Sequence, residues 1–226
     1  MRTNFQEDIA AANARRWDGM NFYGQMQEDF FLHEYYFKGV RDGYGIEVGA
    51  TDGHEFSNTR FFEEHMGWDV LCIEANPNYE RILKERRRRA ECPLASSDKY
   101  GLATFEIVEL QGNNQTACSS LRVDERLIEA HAHLINRRFK VEVPMETLEQ
   151  TLARQENPMP RLDLVSIDVE GTELDVLKGF DIERWKPKVF IIENNYEDDD
   201  CRNYLADLGY EHDFYYHVND FFILKD

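Results

Sequence analysis

No run of this 226-residue chain approaches the roughly 18 apolar residues of a membrane helix, so no membrane span is expected. The opening residues, MRTNFQEDIAAANARRW, hold no apolar core of signal-peptide length, and the chain reads as soluble and cytoplasmic. Positive charge is scarce: 26 Lys and Arg stand against 44 Asp and Glu, for a formal net charge of −18. Such a chain repels polyanions, which argues against a nucleic-acid or anionic-membrane partner. Cysteine is sparse as well. Cys72, Cys92, Cys118 and Cys201 lie far apart without a CxxC pair, which disfavours a zinc ribbon or disulfide framework and fits a reducing compartment. Repeats and low-complexity tracts are missing. So are two phosphate-binding signatures, G-x-G-x-x-G and the Gly-Lys-Ser/Thr of a P-loop.

What is present is a globular composition, 42% hydrophobic and 13% aromatic, in a length that fits one domain with a sizeable core. Residues 1–40 read as a helical segment, with EDFFLHEYYF (28–37) an aromatic helix. GIEVG (45–49), WDVLCIEANP (68–77), CPLAS (92–96), LDLVSID (162–168) and KVFIIENN (188–195) read as strands, each bounded by a turn signal. ATFEIVEL (103–110) and FKVEVPME (139–146) alternate in period two, with a polar loop and a short helix between them. Helices are expected from Ser57 to Glu64, over 78–89, over 147–155, after Gly171 and near 201–208, followed by two C-terminal strands. Strands alternating with helices predict a mostly parallel α/β sheet covered on both faces, with ligands at the carboxyl edge of the strands.

The first edge loop is EVGATDGHEFSNT, with Glu47, Gly49, Asp52 and Gly53. Its carboxylates would repel a diphosphate and would tolerate a ligand with a positive end. S-adenosylmethionine, with an amine, a sulfonium and no phosphate, fits that description. Glu47 or Asp52 would accept from the amine, and Gly49 and Gly53 would let the backbone approach. A strand-end acid for ribose hydroxyls is also present: Glu74, 25 positions after Gly49. A dehydrogenase uses such an acid too, so Glu74 alone does not separate the two readings.

These segments, with YGQMQEDFFLHEYYF, GIEVGATDGHEFSNT, GWDVLCIEANPNY, LDLVSIDVEGTELDVLKGF and VFIIENN in order over about 23–195, resemble the FkbM-type methyltransferases. The resemblance implies a Rossmann-like class I methyltransferase fold, with a seven-stranded mostly parallel sheet and helices on both faces. It also implies S-adenosylmethionine as cofactor and O-methylation of a small-molecule or glycan hydroxyl. Residues 41–226 would form the methyltransferase domain, with segment 1–40 packing over the cofactor. Carried over, the cofactor site comprises Tyr23, Gln25, Glu47, Gly49, Ala50, Asp52, Gly53, Glu74, Ala75, Asn76 and Asp168. Ser57 and Asn58 would cap the following helix, and Ser96, Ser97 and Asp98 would meet adenine. Thr51 departs from the asparagine or tyrosine common in the family.

Oxygen methylation needs an in-line displacement and removal of the hydroxyl proton. Asp168 ends the fourth core strand, and Glu193 with Asn194 ends the fifth. Three hard oxygen ligands there would suit Mg²⁺. Alternatively Asp168, Glu170 or a histidine is a general base without metal, and Glu193 is a third catalytic candidate. Both arrangements stay open. So do a nicotinamide or nucleotide-sugar enzyme on a doubly wound sheet, and a non-catalytic binding module. Other features have plainer readings. Glu173 suits a helix N-terminus. The aromatics at 30–37 and FYYH (214–217) read as core. HAH (131–133) diverges on a helix, and RRRR (86–89) reads as a solvated face.

Overall fold

The computed structural model describes residues 21–111 and 118–225. The helix expected before residue 21 and the polar loop at 112–117 lie outside the described residues. The strands are β1 (Tyr44–Val48), β2 (Asp69–Ile73), β3 (Arg89–Glu91), β4 (Ala95–Ser96), β5 (Gly101–Leu110), β6 (Ile135–Glu146), β7 (Leu164–Ile167), β8 (Val189–Glu193), β9 (Tyr210–Tyr216) and β10 (Asn219–Leu224). Seven of them form one sheet in the order β3-β2-β1-β7-β8-β10-β9. Its first five are parallel, whereas β10 runs antiparallel to both β8 and β9.

Period-two alternation divides the sheet's side chains between two cores. Ile46, Val48, Leu71, Ile73, Val165, Ile167, Phe190 and Ile192 enter one. Val70, Cys72, Leu164, Val189, Ile191 and Phe221 enter the other, with the aromatic helix packed on them. Each such side chain is worth ~1.5–3 kcal/mol when fully buried.

The helices are α1 (Glu28–Phe31, continued by a π turn over Leu32–Tyr36), α2 (Arg60–His65), α3 (Glu80–Arg86), α4 (Glu125–His131), α5 (Leu148–Ala153), α6 (Glu173–Lys178), α7 (Ile182–Trp185) and α8 (Asp200–Asp207). Helix α5 starts on a reciprocal cap: Thr147 Oγ1 accepts from the Gln150 amide at 3.1 Å, and Gln150 Oε1 accepts from the Thr147 amide at 3.0 Å.

The expected third strand is corrected. The sheet takes Arg89–Glu91, beginning at the last residue of the segment read as helix and pairing Leu71 with Arg89 and Ile73 with Glu91. Ala95–Ser96 joins instead a separate sheet, β4-β6-β5, in which β5 and β6 form the long antiparallel pair. The helix stops early because Arg87 turns to an extended conformation (φ −117°, ψ 143°) and sends its side chain inward. Strand order reverses between β1 and β7, whose carboxyl ends therefore diverge and open a crevice.

Candidate active site

A cavity of about 970 Å³ fills that crevice. Its floor is the ends of β1, β2, β7 and β8, and its far wall comes from β5 and α4. At the floor, the Gly49 and Ala50 amides donate to the Ile73 carbonyl at 2.9 and 3.1 Å. Gly49 has φ +88°, and a β-carbon there would fall on the Asp168 carbonyl oxygen. Gly53 serves a different purpose, since its missing side chain makes room for Leu83 and Arg87 beneath the loop, away from the cavity. Gly49→Ala is expected to destabilise the fold by ~2–4 kcal/mol, from overpacking plus a left-handed β-carbon. A urea titration with unchanged slope reads this directly.

Glu47 and Asp52 line the cavity, with their carboxylates already held by protein donors. Glu47 alternates onto the face shared with Cys72 and is 4% exposed. It accepts from Ser57 Oγ (2.8 Å), the Asn58 amide (2.7 Å), Thr59 Oγ1 (2.7 Å) and the Arg87 guanidinium (3.0 Å). Asp52 accepts from the His54 and Glu55 amides and pairs with Arg86. Arg87 is itself fully buried and also pairs with Glu63, so the arginine run is only partly a solvated face. Ser57 does cap α2: its hydroxyl accepts from the Arg60 amide at 3.0 Å.

Glu74 is aimed by backbone. One carboxylate oxygen accepts from the Thr51 amide at 2.8 Å and the other from the Asn76 amide at 2.6 Å, and the carboxylate lines the cavity. Burial pushes its pKa up to about 6 against those two amides. Each oxygen keeps a further lone pair for a ligand hydroxyl.

Across the floor, one carboxylate oxygen from each of Asp168, Glu170 and Glu193 lies within 4.8 Å of the others. Asp168 is open to the cavity but ringed by protein. Desolvation, then the charges of Glu170 and Glu173, raise its pKa well above the usual range. Glu193 is raised likewise, by burial and then by Asp168. Its Oε2 is buried without a hydrogen-bond partner among the described residues. Glu170 sits at φ +61° and accepts from the Cys118 amide at 3.1 Å. Thr51, Phe56 and Cys118, which also line the cavity, share that left-handed region, so unfavourable backbone concentrates around this space. Glu173 follows the plain reading, accepting from the Val169 and Gly171 amides at the start of α6.

The remaining expected residues divide. Gln25, Ala50, Ala75 and Ser96 line the cavity, and Ser96 Oγ is buried without a partner among the described residues. Asn194 does not join the acids: its amide donates to the Asp198 carbonyl (2.9 Å) and Asp220 (2.8 Å) and accepts from the Asp198 amide. Asn76 and Asn58 are buried behind the lining, bonded to the Asn78 amide and to Ser166. Ser97 turns its carbonyl toward Gly179, and Asp98 lies outside the lining. Tyr23 donates to Glu64 and lies outside the lining. His131 reaches the cavity whereas His133 does not, and Phe30, Phe31 and Phe37 are core. Sequence reading missed Phe56 and Glu109 as lining residues. Phe56 depends on a left-handed backbone that no motif announces, and Glu109 on the small sheet folding over the edge.

A seven-stranded sheet with one antiparallel strand near its edge, and a cavity at the reversal of strand order, is the class I methyltransferase arrangement. Residues 47–212 match the family model described as Methyltransferase FkbM domain, and the chain belongs to that family. It is a methyltransferase, and the family implies S-adenosylmethionine as methyl donor. No curated protein sequence matches it significantly. Among solved structures it is similar to precorrin-6y C5,15-methyltransferase from Geobacter metallireducens GS-15, at 12% identity and TM-score 0.41, covering 82% of this chain and 81% of that one. It is also similar to a Klebsiella pneumoniae protein whose O-methyltransferase assignment is provisional, at 11% identity and TM-score 0.42, covering 100% and 92%. Among the described residues no helix is long and apolar enough to cross a membrane.

Proposed function

We propose that this enzyme transfers the methyl group of S-adenosylmethionine to a hydroxyl oxygen of a carbohydrate or related polyol. The observation that carries this reading is the carboxylate trio of Asp168, Glu170 and Glu193, in one cavity with the backbone-aimed Glu74. In this reading Glu74 holds the ribose hydroxyls and Ser96 meets the adenine edge. Gly49 to Thr51 lie under the methionine part, with Gln25 and Tyr23 from segment 1–40 closing over it. The acids at the other end hold the acceptor hydroxyl in line with the methyl group, and Asp168 takes its proton. Fixing that geometry contributes several kcal/mol, up to ~7–11 in well-oriented systems.

The trio fits Mg²⁺: three hard oxygens converge, Glu193 keeps one buried oxygen unpartnered among the described residues, and burial, then the neighbouring acids, holds Asp168 and Glu193 above their ordinary pKa range. Asp168, Glu170 and Glu193 would hold the ion, which when bound lowers the proton affinity of an acceptor hydroxyl. The decisive experiment follows labelled methyl from S-adenosylmethionine into a panel of polyols and glycans, with Mg²⁺ or with EDTA. Transfer that EDTA abolishes and Mg²⁺ restores is expected. EDTA-insensitive transfer removes the ion and leaves Asp168 as the base. Binding of NAD in place of S-adenosylhomocysteine would overturn the whole assignment.

Glu74→Ala should weaken S-adenosylhomocysteine binding by ~1.5–3 kcal/mol, through loss of a charged acceptor. The wild-type affinity should also fall as pH drops through about 6, because the raised pKa of Glu74 means the carboxylate protonates there and loses its acceptor strength. Calorimetric titrations between pH 5 and pH 8 on wild type and variant check both, and the variant should lack that pH step.

A further inference from the structure

The cavity is large for a single ligand. Pockets for a drug-sized molecule run to roughly 300–1,000 Å³, and this one stands at the top of that range at about 970 Å³. With the nucleoside on the Glu74 side, the end walled by β5 and α4 is left for the acceptor.

The charges around that end are one-sided. Glu109 from β5 joins Asp168, Glu170 and Glu193 in the lining. Among the described residues the only lining side chains that carry or can gain positive charge are Arg81 and His131. Arg81 is exposed on α3 and bound to Glu85 at 2.9 Å, on the nucleoside side. His131 sits beside Glu170, and its Nδ1 is bonded to the Leu127 carbonyl at 2.9 Å. Arg137 stands opposite Glu109 in the β5–β6 ladder, but its guanidinium lies over the Phe139 ring, 4.0 Å from the centroid. The acids that arginines do neutralise, Glu47 and Asp52, belong to the cofactor loop. Among the described residues, four carboxylates therefore face the acceptor end without a paired cation. Protons held within the trio, or a divalent ion on it, reduce that formal charge and leave its sign unchanged.

Low-dielectric walls focus such a field into the cleft, where it enriches counter-ions by on the order of 10–10³-fold. We infer that the acceptor end selects by charge: it takes a hydroxyl compound bearing an ammonium group, such as an amino sugar, over a neutral one, and rejects phosphorylated or carboxylated ones. This rests on the methyltransferase reading of the cavity, and names the acceptor class within it. The neighbouring apolar wall of Leu110, Leu121 and Leu127 suits the carbon skeleton of such a ring.

The test uses the whole protein with labelled methyl groups and three small nitroxides of the same ring, bearing ammonium, amide or carboxylate. Relaxation enhancement is read at Leu121, Leu127 and Val218 inside the cavity and at Leu102, exposed on β5. Leu102 reports the general attraction of an acidic chain for cations. The ammonium-to-carboxylate ratio should be on the order of tenfold larger inside than at Leu102. Glu109→Gln should reduce it inside only. Equal ratios at the two places, or no enhancement inside by any probe, overturn the inference. S-adenosylhomocysteine is titrated into the same sample. If it leaves the Ala50 and Ala75 methyls unmoved, the methyltransferase reading of the cavity fails, whatever the charge ratios show.

Discussion

Arg87→Met is expected to destabilise the protein by about 3–5 kcal/mol, the range for breaking a buried ion pair from one side. The guanidinium is fully buried between Glu47 and Glu63, and it also donates to the Gly53 carbonyl, Ser57 and Thr59. Methionine matches much of the volume, so the loss is not one of packing. It comes from leaving Glu47, 4% exposed, with no cation, and Glu63, 3% exposed, with only the longer contact to exposed Arg88 at 3.7 Å. Arg81→Met, on the helix that Arg87 ends, is the control. Its pair with Glu85 is exposed on both sides, and such pairs are worth at most ~1 kcal/mol. Urea midpoints at constant slope decide the matter. Arg87→Met within ~1 kcal/mol of wild type would show that the three-charge cluster is not holding the loop, whereas a variant that cannot fold meets the expectation. Because Glu47 also orders residues 57–59, cofactor affinity should fall with stability.

This cluster shows where sequence reading reaches and where it stops. The buried strands were legible because β1, β2, β7 and β8 are short apolar runs ended by turn residues, and their order follows from alternating strands and helices. Arg87 was illegible because it lies in a run of four arginines, and nothing local distinguishes the one that turns inward. Its partners come from β1 and α2, 40 and 24 positions away. The third strand was missed for a related reason: Arg89–Glu91 is a half-exposed edge of three residues with no apolar pattern. At the site, the rule that ligands meet strand ends located Asp168, Glu193 and Glu74. It overreached by one position at Asn194 and again at Ser97. Consecutive residues leave an extended chain on opposite sides, so Glu193 and Ser96 face the cavity while Asn194 turns to Asp220 and the Ser97 hydroxyl to Asp98. The loop acids read as facing a cationic ligand are neutralised by arginines that sequence spacing does not bring near, whereas the trio has no paired cation among the described residues.

Asp168→Asn should lower turnover by about 10²–10⁴-fold, the range for a positioned proton acceptor, with little change in affinity for S-adenosylhomocysteine. The same substitution should stabilise the protein on the alkaline side of the trio's titration, in the absence of divalent cations. The signs follow from the raised pKa. A carboxyl that holds its proton more tightly when folded contributes stability that is complete below its unfolded pKa, and this is lost as pH rises through the folded value. Above that folded value the wild type carries a crowded charge against Glu170 and Glu193, and asparagine removes it without changing size. A less active but more stable variant is the signature of a site whose repulsion is kept for function. The pH profile adds a separate readout. Wild-type kcat/KM should climb as the trio gives up its protons, titrating as a unit, and in the variant this limb should be lost or displaced. If Asp168→Asn loses stability and activity together, the carboxylate is a structural support for the β7 turn. If it keeps full turnover, proton removal belongs elsewhere, and Glu170, held in its left-handed turn by the Cys118 amide, is the next residue to replace.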